Sequence, residues 1–136
     1  MPKSPADASR EMAALAALDL RAAEALADRG DELASVVLFH AQQAAEKWLK
    51  AFLIARAEQA PRTHILGPLL DGCIDTSPAL EALRADAEFL TPFAVAPRYV
   101  LRPVGDPALV PRALDAARRF RDASYPVATQ TVFDSV

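Results

Sequence analysis

The chain has a single cysteine in 136 residues, Cys73, so no disulfide closes within it and a multi-cysteine zinc site is excluded. That usage fits a reducing compartment. Alternating runs of Val, Ile and Thr are missing, which argues against sheet. No apolar stretch approaches the roughly 18–20 residues that a membrane helix needs. The N-terminal MPKSPADASR holds no apolar segment of a secretory signal. A soluble cytoplasmic protein is therefore expected. The only histidines are His40 and His64, and neither pairs with Cys73 at metal-ligand spacing, so no metal site is expected. There is no Gly-rich phosphate loop, no Ser-His-Asp order and no paired acids of the nucleotidyltransferase type. No cofactor is implied, and no nucleotidyl transfer by the chain itself.

Alanine is abundant, and it inflates the hydrophobic share of 52%. Alanine has the best helix propensity and lets helix axes approach closely. The net charge of −3 argues against a strong non-specific grip on nucleic acid. Acids prevail early (Asp19, Glu24, Asp28, Asp31, Glu32), and arginines gather late (Arg98, Arg102, Arg112, Arg118, Arg119, Arg121). A solvated arginine-rich helix explains the late cluster more simply than a basic binding face.

The pattern predicts five helices in one domain. The first spans about Ala6 to Asp28, with Leu15, Leu18, Ala22 and Leu26 inward and Arg29-Gly30 as its stop. The second opens at Asp31 as N-cap and runs to about Glu58. It is apolar on two sides, Leu33/Val37/Ala41/Ala44/Trp48/Phe52/Ala55 and Leu38/Ala45/Leu49/Leu53, as a central helix is. A short third helix, capped by Thr63, ends at Asp71-Gly72. Ser77-Pro78 restarts the chain for a fourth helix to about Leu90, with Leu80, Leu83, Ala87 and Leu90 inward. Asp106-Pro107 opens a fifth to about Ala123, burying Leu109, Ala113, Ala116, Ala117 and Phe120. Pro126 is expected to break it, leaving a tail that frays or docks by Val132 and Phe133. Short connections make neighbours antiparallel, so the expected fold is all-α, an up-and-down four-helix bundle with one additional short helix.

The stretch FHAQQAAEKWLKAFLIAR, Phe39 to Arg56, is denser in polar groups than core packing requires. His40, Gln43 and Lys47 share one stripe of the second helix. Trp48 and Phe52 read as core. Lys47 and Lys50 are suited to a phosphate as point charges, although Glu46 and Lys50 also suit an ordinary i,i+4 surface pair. His40 equally suits a half-buried side chain bonded to a neighbouring helix. Arg62-Thr63-His64 stand at the mouth of the third helix, where free N–H groups favour an anion. Capping and loop anchoring are the plainer alternative there. Arg98 and Tyr99 offer a phosphate fork and a stacking ring.

Taken together, FHAQQAAEK, then APRTHILGPLL, then PFAVAPRYV resemble the HEPN domain family, small helical proteins often encoded beside a minimal nucleotidyltransferase. The resemblance spans about Ser9 to Ala123 and is strongest over Phe39–Leu70. It implies a bundle domain over residues 1–125, a tail at 126–136, and pairing as a homodimer. Many members are metal-independent ribonucleases with an arginine four to six residues before a histidine near the last helix. Such a histidine moves protons while the arginine offsets phosphate charge. Here both histidines precede the last helix, and neither has an arginine at that spacing. Val100 also stands where relatives commonly carry proline after the tyrosine. No catalytic residue is assigned. The expected function is a non-catalytic protein that binds a nucleotide or RNA in a polar groove between subunits. His40, Gln43, Lys47, Arg62, His64, Arg98 and Tyr99 would line it, and a nucleotidyltransferase partner would act with it, as in a toxin–antitoxin pair. A ribonuclease using an atypical histidine and a purely structural dimerisation module are the alternatives.

Overall fold

A computed structural model describes residues 3–94 and 105–133, with side chains through 124. Among these residues every regular element is helical. Three long helices, α1 (Pro5–Leu26), α2 (Ala34–Ala55) and α5 (Val110–Phe133), pack on one another, and the shorter α3 (Leu66–Ile74) and α4 (Arg84–Leu90) close over α2 and α5. Arg98, Tyr99 and Val100 lie outside the described residues.

Helix α1 opens where Ser4 Oγ accepts from the Asp7 N–H and Pro5 holds the first turn. Its inward stripe departs from expectation. Leu15 and Leu18 are 48% and 57% exposed, while Ser9, Ala13, Ala16, Leu20 and Ala23 are buried. Both stripes have helical spacing, and closeness decides between them. The small side chains let α1 approach α2 until Ser9 Oγ donates to the Ala51 carbonyl at 2.7 Å. The leucines, too large for that seam, are turned onto the flank.

Gly30 ends the α1 turn at φ +134°, where a Cβ would stand 2.5 Å from the Glu32 carboxylate. Asp31 does not cap α2; Asp31–Leu33 form a 3₁₀ turn closed by Leu33 N–H to Gly30 carbonyl, so α2 starts at Ala34. It is the central helix expected, with Val37, Leu38, Ala41, Ala44, Ala45, Trp48, Leu49, Phe52 and Leu53 all buried. It stops at Ala55 rather than Glu58. Ala57 adopts φ 56°, and the Glu58 N–H turns back to the Leu53 carbonyl at 3.0 Å.

The third helix also shifts. Thr63 Oγ1 accepts from Ile65 N–H before the helix begins, and the helix runs through Asp71-Gly72 to Ile74. Burial of Cys73 beyond the glycine outweighs glycine's cost of about 1 kcal/mol in a helix. Burial also pushes the Cys73 thiol up to about 12. Ser77 makes no side-chain cap bond, and Pro78–Leu83 form a 3₁₀ segment before α4. The inward set Leu80, Leu83, Ala87 and Leu90 is buried as expected.

Asp106 caps as expected, its Oδ1 accepting from the Ala108 N–H at 2.9 Å. A 3₁₀ turn, Pro107–Leu109, leads into α5. Gly105 lies so close to α2 that a Cβ would meet the Ser35 nitrogen at 2.5 Å. Pro126 does not break α5, which continues to Phe133. A proline removes one ladder bond, and a helix can absorb that loss. Arg98 and Arg102 lie outside the described residues, Arg112 lies over the Phe89 ring at 4.3 Å, and the other three late arginines are paired. Arg118 donates to Glu24 and Asp115, Arg121 to Asp122, and Arg119 forks onto the buried Asp86 at 2.6 and 2.8 Å.

Candidate functional site

The part of α2 left between α1 and the loop before α3 carries His40, Gln43, Lys47 and Lys50, one turn apart in succession. On its α1 side, Asp19 uses both carboxylate oxygens. His40 Nδ1–H donates to Oδ1 at 2.8 Å, and Lys47 Nζ donates to Oδ2. Asp19 is 12% exposed, His40 28% and Lys47 26%. Burial pushes the Asp19 carboxyl up, but the bonds from His40 and Lys47, with the lysine charge, outweigh it. The net value lies below the usual carboxylate range.

On the other side the same trio recurs around Glu46. His64 Nδ1–H donates to Glu46 Oε1 at 2.8 Å, and Lys50 Nζ donates to Oε2 at 3.0 Å. Glu46 is 4% exposed, yet His64 is 69% exposed. Gln42, fully buried, donates to the His64 carbonyl at 2.8 Å and accepts from Gln43 Nε2 at 2.7 Å. Glu46–Lys50 is therefore not an ordinary surface pair; its acid is interior.

In both trios the carboxylate can only accept, so each histidine carries its proton on Nδ1. When the ring is neutral, Nε2 is then its acceptor nitrogen, and it has no hydrogen-bond partner among the described residues. That is the tautomer suited to taking a proton or accepting a hydrogen bond.

Three large apolar side chains stand exposed beside these trios. Leu15 and Leu18 border Asp19 on α1, and Ile65, 55% exposed, follows His64. The helical spacing of Leu15, Leu18, Asp19 and Ala22 makes one continuous flank of α1 next to the His40–Lys47 edge.

The structure thus joins His40, Lys47, Gln43 and His64 to one margin of α2. Arg62 is exposed, two residues from His64, and its side chain has no partner among the described residues. The helix mouth differs from expectation, because α3 begins at Leu66 and Thr91 Oγ1 accepts from the Leu66 N–H at 3.2 Å. Sequence reasoning missed Asp19, Gln42 and Glu46 as organisers. Asp19 was detectable as an acid inside the Leu15/Leu18/Ala22/Leu26 stripe; Glu46 and Gln42 sit on the inner side of α2, where polar residues need partners. Among the described residues no His, Cys, Asp or Glu group is arranged to hold a metal, and no helix is long and apolar enough to cross a membrane.

The decisive comparison is at the family level: a model of the HEPN domain matches residues 10–125. The chain belongs to the HEPN domain family. Neither the curated proteins nor the solved structures yield a match. The helical HEPN fold here carries its two histidines on α2 and the loop before α3, and neither is on the last helix.

Proposed function

We propose that this HEPN protein is a non-catalytic homodimer that binds a nucleotide or a short RNA in a polar groove along the α2 margin. The supporting observation is the juxtaposition of exposed Leu15, Leu18 and Ile65 with two Lys–carboxylate–His trios. The apolar flank suits a second copy of the chain. The adjoining polar margin then borders the groove, in an up-and-down bundle whose α1 and α2 form the paired face. Lys47 and Lys50 already neutralise their own carboxylates, so phosphate contact falls chiefly to Arg62 and Arg98. His40, Gln43 and His64 hydrogen-bond the ligand, and Tyr99 stacks. Nucleotide chemistry belongs to a nucleotidyltransferase partner, as in a toxin–antitoxin pair. Fluorescence anisotropy with labelled nucleotides and short RNAs tests this. Binding that falls about tenfold in Arg62→Ala and His64→Ala supports it; no binding of any of them at millimolar concentration rejects it.

The unoccupied Nε2 of each carboxylate-held histidine favours a second reading, an atypical ribonuclease. RNA cleavage abolished by His40→Ala or His64→Ala would establish that reading.

A further inference from the structure

A cavity of about 300 Å³ lies where the end of α1, the start of α2 and the start of α5 meet, and it shares no lining residue with the two trios. That volume reaches the lower end of the roughly 300–1,000 Å³ typical of small-molecule sites. Its floor is apolar: Ala34 and Val37 from α2, Val110 and Leu114 from α5. Pro107 and Pro111 form one wall, and their fixed φ keeps it in shape without a ligand. Two alanines, Ala27 and Ala34, stand where larger side chains would fill the space.

The charged groups set the sign of an occupant. Asp28 and Asp31 lie on the rim, on either side of the Arg29-Gly30 turn. Neither is ion-paired among the described residues. Asp28 stands just past the C-terminus of α1, where the helix dipole is already negative, and the last turn of α1 holds no basic residue to offset it. The turns that lead into the other two helices carry acids of their own. Glu32 joins Asp31 in the turn before α2, and Asp106 caps the turn before α5. Arg118, the one cation in the lining among the described residues, is committed. It donates to Glu24 Oε2 at 2.8 Å and to Asp115 Oδ1 at 3.2 Å, so an incoming anion gains little from it.

We propose that this cavity is a binding site for a small organic cation with an apolar body, of the aryl-amidinium or alkylammonium class. Its charged end meets Asp28 and Asp31, and its apolar end rests on Val37 and Leu114. The site is independent of the α2 margin, so it stands whether or not that margin binds nucleotides.

The test uses the full chain at low salt, with benzamidine as probe, neutral benzamide of matching shape and anionic benzoate, followed by amide NMR signals. Benzamidine is expected to move the signals of Ala27, Gly30, Ala34 and Leu114 saturably. Benzamide should bind about tenfold more weakly, and benzoate not at all. Asp28→Asn with Asp31→Asn, both at exposed positions, should weaken benzamidine about tenfold. Ala27→Phe should remove binding by filling the cavity. Raising the salt should weaken benzamidine and leave benzamide unchanged, a readout that needs no variant. Benzoate binding as tightly as benzamidine, absence of saturable shifts, or shifts confined to the α2 margin would overturn the proposal.

Discussion

The two Lys–carboxylate–His trios are built from the same chemistry and differ in depth. Asp19 joins two helices, with half-buried partners on both sides. Glu46 lies deeper, but its histidine reaches far into solvent from a loop. In the first trio the histidine ties α1 to α2 and is only partly open to solvent. In the second the acid is structural and the histidine is presented outward. Burial of the acid and exposure of the base are thus set independently, and the Glu46 trio is the better placed to meet a ligand.

The largest stability effect should follow removal of the deeper acid. Glu46→Ala strips the anchor from His64 and Lys50 and leaves Gln42 short of a partner in the interior. Lys50 and His64 can recover water, which keeps the loss to about 2–3 kcal/mol in urea unfolding. Asp19→Asn should cost less, about 1–2 kcal/mol at pH 7, because Asp19 is less deeply buried than Glu46 and the amide keeps one acceptor oxygen.

That second difference has a defined pH course. Because folding lowers the Asp19 pKa, its stabilisation is complete above the unfolded value of about 4. It is lost as pH falls through the lower folded value. The gap between the native chain and Asp19→Asn should therefore close below about pH 4, as seen by thermal melts across pH. A gap that widened there would contradict the geometry of the Asp19 trio.

The histidines should give the smallest effects, in the opposite order to their expected roles. His40→Ala should cost about 1 kcal/mol, and His64→Ala less than about 0.5 kcal/mol. If His64→Ala proves the more destabilising, the exposed ring is an anchor and not a presented base.

The core was largely legible from the chain. Periodicity alone found the two-sided α2, the inward faces of α4 and α5, and the Asp106-Pro107 start, because buried side chains repeat with the helix. Leu15 and Leu18 were misread because leucine and alanine stripes share one period, and only the approach of α1 to α2 selects between them. The end of the third helix was misread because burial of Cys73 overrode the stop signal at Gly72, and its start because Thr63 closes the turn ahead of it. Pro126 was misread because a helix can absorb the loss of one ladder bond. His40, Gln43, Lys47 and His64 were grouped from the sequence with Arg62, Arg98 and Tyr99, whereas the carboxylates that hold the histidines and Lys47 were not found. Asp19 is 21 residues from His40, and no local pattern carries that pairing.

Everything proposed for the α2 margin depends on the exposed α1 flank being covered by a second copy. Sedimentation velocity of the native chain and of Leu15→Glu with Leu18→Glu tests this directly. The account predicts a dimer at micromolar concentration for the native chain, and a monomer of unchanged helix content for the double variant. A native chain that sediments as a monomer, or a double variant that stays dimeric, would contradict it.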